Sequence, residues 1–342
     1  MGAGEAVGTG RRLRLVGLGR RLAARSPALA ALVLLLVLAV VISPRDGSGG
    51  LIFLSLGNLS DIVRQGSIVG IVALGMTFVI LTGGIDLSVG SVLALSTALT
   101  AWVVTGGLLG AAGGSDVVAV AVAIGVSLVV CALLGAMNGL VVSRLKVQPF
   151  IATLATMIGV RGLAKWFTGN ANIDIGFGAD AASRFASVFS GKGLVIGVYG
   201  LMALGFGFVL GRTVFGRHMR AVGDNPVAAL YVGLPIGRVL VWVYMLSGLL
   251  AGVAGVLYAA ENHQGNPNAG IAYELDAIAA VVIGGTRLAG GQGTILGTVI
   301  GTLIMGVLTN MLRLNDVDSN MEMMIKAVII ILAAALQRRR GV

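Results

Sequence analysis

Cysteine is all but absent. Cys131 is the only one and lies inside an apolar run, so neither an intramolecular disulfide nor a cysteine metal site is available. Charge is scarce too: 11% of the 342 residues are Asp, Glu, Lys or Arg, 57% are hydrophobic, and the mean hydropathy is +0.98. Those values exclude a soluble domain of this length and define a multi-spanning membrane protein. Aromatic residues make up only 5%, and the basic residues are dispersed between apolar runs, so the net charge of +10 does not describe a nucleic-acid surface. The two histidines, His218 and His263, are too far apart in sequence to mark a metal motif. No phosphate-binding loop is present, since Gly191-Lys192-Gly193 lacks both the earlier glycine and the following hydroxyl. H-E-x-x-H and G-x-S-x-G are missing as well, which leaves no basis for an enzyme and no bound cofactor.

What is present is apolar sequence in runs of about twenty residues without alternation, the length of membrane helices rather than barrel strands. The expected fold is all-α and polytopic, with spans near 27–42, 60–82, 84–107, 117–142, 149–167, 193–211, 236–260, 273–286, 294–312 and 321–337, about ten in all. The 273–286 segment would measure only about 21 Å as a helix, short of a bilayer core of roughly 30 Å, so it is expected to be tilted, broken or re-entrant. Many of the 54 glycines recur at small-xxx-small spacing, as at Gly66 and Gly70, Gly135 and Gly139, Gly248 and Gly252, and Gly293, Gly297 and Gly301. Such faces let membrane helices approach closely.

Charge sets the orientation. With both termini cytoplasmic, sixteen of the 24 Lys and Arg fall inside: the arginines before residue 26, Arg144 and Lys146, those of 212–235, Arg238, Arg287 and Arg338 to Arg340. Asp46, Asp116, Asp174, Asp180, Glu261, Asp316 and Asp318 fall outside. The chain thus divides into a basic cytoplasmic segment at 1–26, one transmembrane domain at 27–337 and a basic tail at 338–342. The longest polar interval, about 168–192, is too small for a core of its own.

One water-facing stretch, 212–235, interrupts the spans. Asp224 or Asn225 can cap a helix, Pro226 suits its first position, and Gly233 followed by Pro235 ends it after about two turns. A helix that short needs a surface, and Val227, Leu230 and Tyr231 share one face. Within the spans, Thr82-Gly83-Gly84-Ile85-Asp86-Leu87-Ser88-Val89-Gly90 places paired glycines and an acid between two long apolar runs. Asp86 must face protein or water. It can cap the next helix after a tight cytoplasmic turn, or line the inner end of a permeation path with the broken backbone around Thr82, Gly83, Gly84 and Ser88. An outer polar cluster holds Glu261, Asn262, His263, Gln264, Asn266 and Asn268, followed by Tyr273, Glu274 and Asp276. It could bond the hydroxyls of a passing polyol, or be a solvated loop. Lys326 lies inside the last apolar span, with Glu322 one turn earlier as a nearby acid.

Four segments in order resemble the permease subunits of ribose-type monosaccharide ABC importers, in the branched-chain amino acid and sugar permease superfamily. They are GMTFVILTGGIDLSVGS (Gly75 to Ser91), NGLVVSRLKVQPFIATLATM (Asn138 to Met157), GRHMRAVGDNPVAALYVG (Gly216 to Gly233) and YELDAIAAVVIGGTRLAGGQG (Tyr273 to Gly293). The resemblance covers roughly 58–336. It implies a BtuC-like importer permease architecture in the bacterial inner membrane, a second permease copy or related permease, and cytoplasmic ABC ATPases that carry ATP and Mg. It also implies an extracytoplasmic sugar-binding protein. By the same resemblance the loop carrying Arg217, Arg220, Asp224, Asn225, Pro226, Ala228, Ala229 and Gly233 is the coupling element. Ala228-Ala229-x-x-x-Gly233 matches the family pattern, with Val227 where a glutamate often stands. Glu261, Asn262, Glu274 and Asp276, with the Asp86 segment, are then candidates for path or gate. The competing class is an ion-coupled secondary transporter or channel, which would use Asp86 and Lys326 as coupling sites.

Overall fold

A computed structural model describes residues 27–47, 49–106, 116–176 and 180–340; the basic segment at 1–26 lies outside the described residues, as do 341–342 of the tail. The helices are α1 (Pro27–Val41), α2 (Leu56–Leu81), α3 (Val89–Val104), α4 (Asp116–Arg144), α5 (Pro149–Phe167) and α6 (Ala181–Phe189). They continue with α7 (Lys192–Arg212), α8 (Val214–Asp224), α9 (Pro226–Tyr231), α10 (Ile236–Asn262), α11 (Tyr273–Ile283), α12 (Ile295–Leu314) and α13 (Ser319–Arg340). Six of them, α2, α4, α5, α7, α10 and α12, are long and apolar enough to cross a membrane; α1 and α3 are apolar but shorter. The molecule is an all-α polytopic membrane protein, and every segment expected as a span coincides with a helix.

The core follows from small residues. Gly135 of α4 meets Gly248 of α10, where a β-carbon on Gly248 would lie 3.0 Å from the Gly135 Cα, and Gly139 meets Val241 in the same pair. On the other side of the bundle Gly301 of α12 packs on the Ala280 carbonyl of α11, and Gly297 on that of Gly284. Close backbone approach of this kind replaces the hydrophobic drive that lipid cannot supply. Helices α2, α10 and α12 are accordingly mostly buried, while α4, α5 and α7 turn most of their apolar surface outward.

Two of the elements are short because the chain breaks between apolar helices. After Leu81 the backbone reverses at Gly83, whose φ of +80° only glycine adopts freely, and α3 begins only at Val89. From the opposite end, residues 263–272 leave α10 through His263 and run inward until Gly270 packs on Gly90. Helix α11 then has 11 residues, about 16 Å, so the segment expected to be broken or re-entrant is a half-length helix reached by a coil that buries Gly265, Pro267, Ala269 and Gly270. Non-helical backbone is tolerated there because protein surrounds it. Arg161 of α5 fastens the coil, its Nη1 donating to the carbonyls of Pro267 (2.9 Å) and Ala269 (2.6 Å).

The polar interval at 168–192 contains more structure than its composition implies. Ile173–Asp174 pairs antiparallel with Gln264–Gly265, and α6 buries Ala182, Phe185 and Ala186 against the ends of α3 and α10. Asp180 caps α6, its carboxylate held below the usual range by the hydroxyl and the N–H of Ser183.

Candidate functional site

The 212–235 stretch forms two helices, not one. Thr213 caps α8 by accepting from the Gly216 N–H, and Gly216, Met219 and Val222 bury its inner face, so Arg217 and Arg220 point out. At its end Asn225 caps α9, its Oδ1 accepting from the Ala228 N–H at 2.9 Å; Asp224 is the last residue of α8 and is exposed. The Gly233 φ of +78° terminates α9, as its sequence implies. Ala229 is the single buried residue of α9, at 3% exposure, whereas Val227, Leu230 and Tyr231 are 60%, 64% and 86% exposed. Pro226 and Ala228 also face out. The face drawn from sequence is therefore an apolar surface that nothing among the described residues covers.

Behind it three backbones converge. Gly223, in the last turn of α8, lies against the Leu81 carbonyl and the Gly291 N–H, and Gly291 itself donates to Leu81 O at 2.9 Å. A β-carbon on Gly290 would lie 2.9 Å from the Gly223 carbonyl and 3.0 Å from the Gly83 nitrogen. Three separate glycine motifs, those holding Gly83, Gly223 and Gly290, thus form one junction between the helix pair and the membrane domain. Thr82, with its hydroxyl on Val79 O, and the exposed Gly83 sit at this junction.

From the junction the chain climbs to Asp86, which is fully buried. Its Oδ1 accepts from the Ser88 hydroxyl (2.6 Å) and N–H (3.0 Å), and its Oδ2 accepts from Ser247 of α10 at 2.8 Å. Ser88 Oγ in turn accepts from Asn138 of α4 at 3.0 Å, and Asn138 Oδ1 accepts from Thr156 of α5 at 2.6 Å. Ser247 stands eleven residues from one end of α10 and fifteen from the other, so Asp86 lies near mid-depth and ties four elements together. Gly84 makes room for the Tyr244 ring, whose hydroxyl has no partner among the described residues. Asn138, Thr156 and Ser247 were not singled out from sequence, although each is a polar residue inside an apolar run.

The outer cluster divides. Glu261, Asn262 and Asp276 line a cavity of about 320 Å³ with Gln65, Arg313 and Lys326, floored by Tyr258 and Tyr273 in edge-to-face contact at 6.3 Å. Glu261 pairs with Arg64 at 2.9 Å; Asp276 pairs with Lys326 at 3.2 Å, and Lys326 also holds Glu322 at 2.9 Å. The embedded lysine therefore has two acids, one from its own helix and one from α11. Glu274 is turned away, its carboxylate against Gly90. Gln264 belongs to the strand pair rather than the cavity, and His263, in the left-handed conformation, ends α10 with its carbonyl accepting from the Ile175 N–H at 2.9 Å.

An all-helical membrane domain, with an exposed apolar helix pair seated on its backbone breaks and no nucleotide loop in its sequence, is built as the membrane subunit of a transport machine. The chain belongs to the branched-chain amino acid transport system / permease component family, whose model matches residues 58–334. It is 40% identical over 317 residues to the ribose import permease protein RbsC of Haemophilus influenzae, covering 91% of this chain and 92% of the relative. Identity to the ribose import permease of Bacillus subtilis is 41% over 314 residues, 90% and 91% of the two chains. To the galactose/methyl galactoside import permease MglC of Escherichia coli it is 38% over 314 residues, 89% and 92%. No solved structure matches this chain.

Proposed function

We propose that this chain is the permease subunit of an ATP-binding cassette importer that moves a monosaccharide or related polyol across the bacterial cytoplasmic membrane. The observation that carries the reading is near-full-length identity to ribose and galactose import permeases. The exposed α9 face, on a chain without a phosphate loop, agrees with it.

In this reading the chain crosses the membrane ten times in the BtuC-like arrangement, with both termini and the α8–α9 pair in the cytoplasm. A second permease copy or a related permease completes the path. Cytoplasmic ATPases, which carry ATP and Mg, receive Val227, Leu230 and Tyr231, and Arg217 and Arg220 flank that contact. An extracytoplasmic sugar-binding protein delivers substrate to the end where the Glu261–Asp276 cavity opens. Closure of the ATPases moves α9, and the Gly83–Gly223–Gly290 junction passes that movement to the α2–α3 break and the Asp86 network. Alternating access follows when those elements shift between two packings. Asp86 and Lys326, the coupling sites that an ion-coupled transporter would use, are here held in hydrogen bonds and ion pairs that tie helices together.

Reconstitution tests this. In proteoliposomes the chain alone is expected neither to hydrolyse ATP nor to transport. Adding a partner ABC ATPase and an extracytoplasmic sugar-binding protein is expected to give ATP-dependent sugar uptake. Uptake by the chain alone on a proton or sodium gradient would overturn the reading.

A further inference from the structure

Beside the helix pair, between the α4–α5 connection and the start of α10, lies a groove of about 850 Å³. Its rim carries Arg144, Lys146 and Arg238, all exposed, and its lining contains no acid. None of the three makes an ion pair among the described residues. By contrast five cations at the opposite end, Arg64, Arg184, Lys192, Arg313 and Lys326, each meet a carboxylate. The floor is apolar and runs up the sides of α4 and α10 through Leu140, Val241 and Trp242. Trp242 is 59% exposed and lies six residues, about 9 Å, beyond the start of α10, where an indole reaches the boundary between head groups and acyl chains.

We infer that this groove is a binding site for one anionic phospholipid of the adjoining leaflet. The phosphate and its anionic head group sit among Arg144, Lys146 and Arg238, with an acyl chain along Leu140 and Trp242. A basic pocket between membrane helices provides the charge, and the aliphatic floor is what a free phosphate would not require. Two copies of this chain would bring the three cations against their own images across a symmetric interface, at a repulsive cost. The proposed ATPase contact is the exposed α9 face and shares only Leu230 with this groove, whereas the rest of the floor lies along α4 and α10 within the candidate spans. Leu230 and Leu234 also line the groove, so its occupant touches the hinge by which α9 joins α10.

Phospholipids brominated on the acyl chain test the site through quenching of Trp242, in the full chain purified in detergent. Brominated phosphatidylglycerol is expected to quench at concentrations far below brominated phosphatidylcholine, and Trp242→Phe to remove that component. Neutralising Arg144, Lys146 and Arg238 to Gln together abolishes the preference, roughly fivefold per cation, while Arg217→Gln with Arg220→Gln leaves it in place. Gel filtration and helical circular dichroism check that each variant is folded. Equal quenching by both lipids, or a preference retained in the triple variant, overturns the site. So does loss of the quenching when the chain dimerises or binds its ATPase, since either would make the groove a protein interface.

Discussion

Gly223 of α8 rests so close to the carbonyl oxygen of Leu81 that a β-carbon at residue 223 would overlap it. Leu81 ends α2, and the broken segment that carries Asp86 starts one residue later. The solvent-facing helix pair is thus in backbone contact with the point where the membrane domain changes direction. A rigid contact transmits displacement better than side chains that can change rotamer, because packed backbones have few alternative arrangements.

Gly223→Ala should therefore uncouple the machine. Alanine is the better helix former by about 1 kcal/mol, so any loss is not a loss of helix. The overlap with Leu81 O instead forces α8 away at a cost of about 1–3 kcal/mol. Expression and membrane insertion are expected to stay near wild type, with sugar uptake lower on the order of tenfold. Wild-type uptake in cells expressing the full complex would show that the junction carries no coupling.

Asp86→Asn separates charge from shape. Asparagine fits the same space and can still accept from Ser88, but its amide must turn a donor toward Ser247, which then has to accept. The complex should assemble and transport poorly. Asp86→Leu is expected to do more, because the Ser88 N–H, the Ser88 hydroxyl and the Ser247 hydroxyl lose their buried acceptor at about 3 kcal/mol or more. Melting in detergent ranks the three proteins, and normal transport by Asp86→Asn would reduce Asp86 to a cap for the Ser88 N–H.

The helical spans were legible in the sequence because a lipid solvent demands long apolar runs, and the α9 caps because Asn225, Pro226 and Gly233 act through local backbone chemistry. Glu322 as a partner of Lys326 followed from i,i+4 spacing. Asp276 as the second partner did not, since that contact joins helices 50 positions apart. Likewise Ser247 and Asn138 meet Asp86 only through tertiary packing, and Glu274 and Asp276, two residues apart, separate because a helix turns them to different faces. Helix α8 was missed as a helix: Gly216 and Gly223 depress its propensity, and both are there for close packing rather than for a turn.

The α9 surface can be tested one face at a time. Tyr231→Asp changes a side chain that is 86% exposed and outside the groove, so insertion and stability should hold while ATPase association weakens by about 2 kcal/mol. Ala229→Glu acts differently. It puts a charge into the buried side of α9 and is expected to unseat the helix, lowering its protection from proteolysis as well as ATPase binding. Co-purification with the ATPase distinguishes these from an inert loop, for which the exposed substitution would have no effect.

Lys326 supplies the test of the outer cavity. Its ammonium lies between Asp276 and Glu322, with side-chain exposures of 14%, 18% and 6%. Lys326→Met leaves Asp276 without its cation while Glu322 keeps Arg313 at 3.4 Å, and removal of one partner from a buried pair costs about 3 kcal/mol or more, somewhat less here because the cavity admits water. Since α13 touches α11 through this contact, the lost stability should appear as easier release of α13, read by hydrogen exchange in 319–331. Adding Asp276→Asn removes the stranded charge, so the double variant should regain most of the melting temperature. Recovery of stability with uptake still impaired would assign the ion pairs to the path. Recovery of both would leave them as structural ties between α11 and α13, and no recovery at all would mean that Lys326 acts through its aliphatic stem.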